Sequence, residues 1–312
     1  MSSEELDSLA SLYTEGPNPK TTDLDTFDTL RVLEVMNDED QLVAPAVRRV
    51  LPQIAQAVEL IAEARRAGGR LIYIGAGTSG RLGLLDAVEC PPTFGTDPSE
   101  VLGLIAGGEN AFVRAVEGAE DDPALAVTEL EAAHVGPSDV VVGLAASGRT
   151  PYVIGGLRYA REQGAATVAI SCNPGARISA EADVAIEVLT GPEVLTGSTR
   201  LKAGTAQKLV CNMLTTASMV RTGKAYGNLM VDLLPTNAKL VDRAQRIVAE
   251  AAHVDRDRAD AALDAAGDHA KTAVVMLLAD RDAEQAAALL ALADGNVRRA
   301  VALATSPSER TI

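Results

Sequence analysis

Residues 71–81 read LIYIGAGTSGR. An apolar, β-branched run stops at a turn rich in glycine and hydroxyls, and a helical pattern follows. Such a turn aims backbone N–H groups and small hydroxyls past the end of the strand. The helix N-terminus adds partial positive charge there, so the guest it favours is an anion, most often a phosphate. A second hydroxyl-rich strand end follows at 140–150, VVVGLAASGRT, and a third polar cluster at 197–205, GSTRLKAGT. Three such loops together point to a phosphorylated small molecule held at the mouth of a parallel sheet.

Working outward, short strands are predicted at about 70–74, 101–106, 138–145, 166–171 and 184–189. Helical stretches separate them at about 79–89, 109–119, 123–133, 150–163 and 175–182, and another runs from about 44 to 67. This alternation predicts an α/β fold with a five-stranded parallel sheet flanked by helices. A helix over about 202–222 follows the third loop. From about 240 the chain turns rich in Ala, Asp and Arg with helical periodicity alone. A small C-terminal helical module is expected over 241–312, with Val274, Val275, Leu277 and Leu278 in its core. Residues 1–43 read as an N-terminal arm with little core of its own, packing on a partner subunit, and 44–240 as the sheet domain.

The 312 residues suffice for such a domain plus a module. Apolar residues make up 47% and Trp is absent, so the core is expected to be built from Ala, Val, Leu and Ile. No uncharged apolar run of about 18 residues is present, so no membrane-spanning helix is expected. The opening MSSEELDSLASLYTEG is acidic and unlike a signal peptide. Cys90, Cys172 and Cys211 form no pair motif and read as free thiols. A cytoplasmic location is expected. The net charge of −15 disfavours a nucleic-acid partner, because phosphate backbones need a basic surface.

GAGTSG also matches the dinucleotide fingerprint G-x-G-x-x-G, with Glu109 imitating the ribose-binding acid. However, Cys90–Pro91–Pro92 and the loop CPPTFGTDPSE interrupt the helix-to-strand path such a unit requires. A plain tight turn without a ligand is the other reading. Arg81, Arg149, Arg200 and Lys202 are the cations near the loops, and Lys202, at a helix start, is the first choice for a phosphate or carboxylate. A cation there opposes the helix dipole, so a compensating anion is expected. His134, His253 and His269 avoid the strand-end loops, and no metal-ligand spacing appears. A metal-free site using carboxylates is the default for an enzyme here. Two acidic places stand out. Glu89 is expected to end the helix after the first loop, where the dipole disfavours its charge. Glu117, Glu120 and Asp121 are expected to close the helix after the second strand.

The stretches GAGTSGRLGLLDAVECPPTFG (75–95), LIAGGENAFVRAVEGAEDD (104–122), VVVGLAASGRTPYVIGGL (140–157) and TGSTRLKAGTAQKLVCNMLTTASM (196–219) resemble the N-acetylmuramic acid 6-phosphate etherase family. TEGPNPKT near the start and GNLMVDLLPTNAKL (227–240) are similar to it as well. The resemblance spans about residues 12–305. It implies the sugar isomerase (SIS) phosphosugar-binding fold of flavodoxin-like order, a helical C-terminal module and a homodimer.

It implies a metal-independent carbon–oxygen lyase without a cofactor. Such an enzyme cleaves the D-lactyl ether of N-acetylmuramic acid 6-phosphate by elimination then hydration, in cell-wall amino sugar recycling. The general acid of the family's DASECPPT-like motif falls on Glu89, with Val88 here in place of the common Ser. The second glutamate, of the EGAED motif, falls on Glu120 rather than Glu117. Thr78, Ser79, Ser147, Arg149, Thr150, Ser198 and Lys202 are the implied ligand contacts. An aldose–ketose phosphosugar isomerase and a non-catalytic phosphosugar-binding regulator share the architecture and are the alternatives.

Overall fold

A computed structural model describes residues 12–114, 116–233, 235 and 237–305. The first eleven residues of the expected arm and residues 306–312 of the expected module lie outside them. The chain forms two compact units. One takes the residues up to Val88 together with Ser99–Thr215; the other takes Glu89–Pro98 together with the residues from Thr216 onward. The sequence reading starts the helical module at 241, whereas residues 216–240 belong to the same unit as that module.

The first unit is built on β1 (Leu71–Gly75), β2 (Val101–Ile105), β3 (Val140–Leu144), β4 (Ala166–Ser171) and β5 (Val184–Glu187), in the order β2-β1-β3-β4-β5. All pairings are parallel. Every residue of β1 and β3 is buried, while the edge strand β5 alternates and the edge strand β2 is fully buried only at its two ends. Central strands covered on both faces need continuous apolar runs, and LIYIG and VVVGL supply them. Ile72, Ile74, Val141, Leu130, Val153, Leu157 and Ile178 join in one core cluster. Gly75 pairs with Leu144 on one side and Ile105 on the other, so three strand tips end level. The strand order reverses between β1 and β3. In an open parallel sheet that point opens a crevice beyond the carboxyl ends of the strands.

The helices of this unit are α1 (Thr29–Asp40), α2 (Val43–Arg49), α3 (Leu51–Arg66), α4 (Gly77–Phe94), α5 (Asn110–Val113), α6 (Pro123–Ala132), α7 (Pro151–Glu162) and α8 (Lys202–Arg221), the last turns of α4 and α8 passing into the second unit. Four differ from the sequence expectation. The helix expected over 44–67 divides at Val50, because Pro52 has no N–H to give to Arg48 and starts a new helix. α4 does not stop at Glu89 but carries Pro91 and Pro92 within its last turn. The prolines cost only the bonds to Ala87 and Val88, and Gly95 N–H closes the end on the Pro91 carbonyl at 2.9 Å. The helix expected over 109–119 is the single turn α5. Arg81 donates to the carbonyls of Ala111 and Phe112, both at 2.8 Å, and so takes the acceptors that a longer helix would use. The stretch expected as a helix over 175–182 is a 3-10 turn, Arg177–Glu181.

The expected arm is fastened to its own unit. Val35 and Glu39 of α1 are buried. Thr14 accepts from Asn173 Nδ2 at 3.0 Å, and Asn18 donates to the Pro192 carbonyl at 3.3 Å.

At the amino end of the sheet, Asp139 joins the starts of β1 and β3. It accepts from the Arg70 N–H, Nε and Nη2 at 2.9, 3.1 and 2.7 Å, and from Gly136 N–H at 3.1 Å. Burial pushes the Asp139 carboxyl up, but these donors outweigh it and hold it below its ordinary 3.8. A depressed carboxyl stabilises the fold above its unfolded value, and that stability is lost as pH falls through the folded one. Asp139→Asn is expected to cost about 2 kcal/mol at neutral pH. It should also flatten the fall in urea stability below about pH 4. Denaturation at pH 7 and pH 3 checks both.

The second unit holds α9 (Ala238–Ala252), α10 (Arg256–Ala265), α11 (Ala270–Ala279), α12 (Ala283–Leu292) and α13 (Val297–Thr305). Asn237, Asp255 and Asp282 cap three of these helices through side-chain oxygens. Val274 and Val275 are fully buried in its core, and Leu277 and Leu278 pack on it half-buried. No described helix is long and apolar enough to cross a membrane.

Candidate functional site

The first strand tip turns too tightly for side chains. A Cβ on Gly75 would lie 2.8 Å from the Gly80 nitrogen, and one on Gly80 would lie 2.5 Å from the Gly75 carbonyl oxygen. The two glycines therefore bring the start of α4 directly under the end of β1. Thr78 is half-buried there. Ser79 is buried and donates its hydroxyl to Gln207 Oε1 of α8 at 2.9 Å. Gln207 Nε2 is buried and finds no acceptor among the described residues.

At the second tip Ser147, Arg149 and Thr150 are half-buried. Ser147 Oγ accepts from the Arg149 N–H at 3.3 Å. Thr150 precedes Pro151 at the start of α7, and its side chain makes no cap bond. Gly148 has φ +71°, and a Cβ on it would fall 2.3 Å from the Ala176 Cβ. Gly148→Ala therefore combines a left-handed backbone with a backbone-fixed clash, at an expected cost of about 2–4 kcal/mol. Thermal denaturation would check it; an unchanged transition would show that the loop relaxes freely.

The third loop meets the first. A Cβ on Gly204 of α8 would sit 3.5 Å from Thr78 Cγ2. Ser198 is half-buried and Arg200 exposed. The anion expected to balance Lys202 is present twice over. Glu193, fully buried, accepts from the Lys202 and Ala203 N–H groups at 3.0 and 2.9 Å and caps α8. Burial pushes the Glu193 carboxyl up despite those bonds. The Lys202 ammonium is itself buried, 2.5 Å from Glu39 Oε2. Glu39 also accepts from Asn18 at 2.9 Å and Lys20 at 2.8 Å. Burial raises the Glu39 carboxyl, but the two lysines and Asn18 prevail and leave it lowered.

Sequence reasoning did not single out Asn18, Glu39, Asn173, Glu193 or Gln207, which tie the loops together. Asn173 Nδ2 donates to both Thr14 and the Ala146 carbonyl, linking the N-terminal segment to the second loop. The motif TEGPNPKT was the available signal for Asn18, and for Thr14 beside it; Asn18 reaches Pro192, 174 residues on, and Thr14 meets Asn173, 159 residues on.

Beyond β2, Glu120 stands in a 3-10 turn, Ala119–Asp121, entered through Gly118 at φ +78°. A cleft of about 200 Å³ opens here, lined by Gly77 and Arg81 from the first loop and by Glu117, Gly118 and Glu120. The fold thus brings Glu117 and Glu120, both exposed, to the first strand tip. Glu89 is exposed on α4 five residues before its end, in the second unit. The dipole argument made for it does not apply there, since that effect falls off within the last turn. Among the described residues no cluster of His, Cys, Asp and Glu is suited to hold a metal.

Residues 53–161 match the family described as glucokinase regulatory protein N-terminal SIS domain, and residues 122–217 the SIS domain family. N-acetylmuramic acid 6-phosphate etherase of Mycolicibacterium smegmatis is 64% identical over 293 residues, covering 94% of this chain and 98% of that protein. The etherase of Yersinia pestis is 60% identical, with 89% and 95% covered. N-acetylmuramic acid 6-phosphate etherase 1 of Vibrio cholerae is 58% identical, with 89% and 93% covered. With identity of this order along almost its full length, and the strand-tip loops in place, the chain belongs to the N-acetylmuramic acid 6-phosphate etherase family.

Proposed function

We propose that the protein cleaves the D-lactyl ether at C3 of N-acetylmuramic acid 6-phosphate, giving N-acetylglucosamine 6-phosphate and D-lactate in the recycling of cell-wall amino sugars. The observation that carries this reading is the cleft where Glu120 meets the first strand tip, in a chain of this family. The sugar phosphate sits over the strand tips, contacted by Thr78, Ser79, Ser147, Arg149, Thr150 and Ser198. Lys202, its charge balanced by buried Glu39, holds the start of α8 and the third loop to the N-terminal segment.

The chemistry asks for two carboxyl groups. An ether leaves as a poor alkoxide unless its oxygen gains a proton as the bond breaks. The C2 proton is acidic only when C1 is an aldehyde, so ring opening comes first. Glu120 then takes the C2 proton, the C3–O bond breaks, and Glu89 gives its proton to the departing lactate oxygen. This leaves a 2,3-unsaturated aldehyde. Glu89, now a carboxylate, takes a proton from water as the water oxygen adds to C3, and C2 regains a proton from Glu120. The sum is one water consumed and one lactate released. A positioned acid and base supply every proton transfer, so the lyase is metal-independent in this reading. A homodimer in the cytoplasm, with no nucleic-acid or membrane partner, completes it.

Incubation with N-acetylmuramic acid 6-phosphate in the presence of a chelator, followed by an enzymatic assay for D-lactate, tests the reaction. Stoichiometric D-lactate is expected. Sugar-phosphate binding without turnover, or aldose–ketose interconversion without lactate, would overturn it.

A further inference from the structure

The second unit contains a cavity of about 290 Å³ that the proposed reaction does not use. By the volume of liquid water it has room for on the order of ten water molecules. Lys224, Asp232, His269 and Lys271 line it. Asp232 is buried, and its Oδ2 lies 2.5 Å from Lys271 Nζ and 3.3 Å from Lys224 Nζ. One carboxylate thus serves two ammonium groups, and one positive charge is left over at the wall. Lys271 stands in the first turn of α11, where the helix dipole adds to that charge, and no side chain caps this N-terminus.

Three further observations describe what the cavity lacks. Asp232 Oδ1 is buried and has no hydrogen-bond donor among the described residues; His269 Nε2 is 3.7 Å away. The His269 ring is oriented from its other side, Nδ1 lying 2.6 Å from Thr272 Oγ1. Gly295, also in the lining, has φ +72°, and a Cβ on it would lie 3.5 Å from Lys271 Nζ. The wall beside that ammonium therefore carries no side chain, which keeps the charge within reach of a small guest.

We propose that this cavity is a second anion site, taking a small oxyanion that carries its own hydroxyl. The oxyanion oxygens accept from Lys224 and Lys271, and the hydroxyl donates to Asp232 Oδ1. A 2-hydroxy carboxylate and hydrogen phosphate share this chemistry. Burial, with the neighbouring Lys271 and Lys224, outweighs Asp232 and holds the His269 imidazole below its ordinary value, and burial lowers the Lys271 ammonium against the opposing pull of Asp232. The site lies within the second unit and does not depend on the chemistry assigned to the strand tips.

The chain has three histidines, so 15N-histidine NMR resolves His269 once His269→Asn assigns it. Full-length protein is titrated at pH 7 with sodium phosphate, sodium D-lactate and, at matched ionic strength, sodium chloride. A saturable His269 shift with phosphate, D-lactate or both, absent with chloride, is expected, and which salt acts identifies the source of the anion. The bound anion should also raise the pH midpoint of His269. Lys224→Gln keeps the Asp232–Lys271 pair and should weaken the response about tenfold or more; circular dichroism confirms that this variant folds. Ser147→Ala, at the strand tips, should leave the response unchanged. No saturable shift with either oxyanion, an equal shift with chloride, undiminished affinity in Lys224→Gln, or loss of the response in Ser147→Ala would each overturn the proposal.

Discussion

Replacing Glu120 by Gln is expected to slow exchange of the substrate C2 proton with deuterated solvent by about 10²–10⁴-fold, and D-lactate release with it. The amide keeps the size of the side chain and its place in the 3-10 turn, but has no basic oxygen to take the proton. Glu89→Gln should behave differently: C2 exchange persists, because the base is intact, while lactate release falls by a similar factor for want of an acid. The same cleft holds a built-in control, since Glu117 also lines it. Glu117→Gln is expected to leave exchange within a few-fold of normal. Mass spectrometry or proton NMR of the recovered sugar phosphate reads all three variants. Normal exchange in Glu120→Gln, or the full loss in Glu117→Gln, would remove Glu120 from the role of base.

Lys202→Met is expected to lower stability by about 3 kcal/mol, roughly 5 °C in a thermal melt of a chain this long. The ammonium is buried 2.5 Å from Glu39, which is itself 3% exposed. Removing the cation leaves a carboxylate in the interior with only Asn18 and the exposed Lys20 as partners. Replacing both members, Lys202→Met with Glu39→Leu, should recover much of the loss, because an apolar pair needs no solvent or counter-charge. The alternative outcome is just as readable. An unchanged melt with a raised KM would make Lys202 a direct contact of the phosphosugar, as the resemblance implies, and not the clasp between the N-terminal segment and α8.

Much of the frame could be read from order along the chain. LIYIG and VVVGL are short, apolar and bounded by turn formers, and both became fully buried central strands. The alternation of strands and helices implied a parallel sheet, since parallel neighbours need a crossover between them. The glycine-rich tips were legible because backbone approach and positive φ are local demands, met at Gly75, Gly80 and Gly148 by the one residue without a Cβ. The acids at 117–121 were legible as a cluster. The choice of Glu120 within it came from family resemblance, and the cleft itself admits Glu117 as well.

Local pattern failed where a distant partner set the outcome. The helix after β2 is a single turn because the Arg81 guanidinium, about thirty residues upstream, binds its carbonyls. A compensating anion for Lys202 was expected but could not be named, because Glu39 lies 163 residues earlier in the chain. The N-terminal segment read as an arm with little core of its own, and its polar groups at Thr14 and Asn18 find partners at Asn173 and Pro192, which spacing did not reveal. Secondary structure, tight turns and the list of chemically able residues follow from steric and hydrophobic preferences that act within a few positions. Which charges are neutralised, which acid faces the strand tips and which loops touch depend on long-range closure of the chain. A buried ion or donor must find its partner wherever the fold delivers one, and spacing along the sequence does not encode that distance.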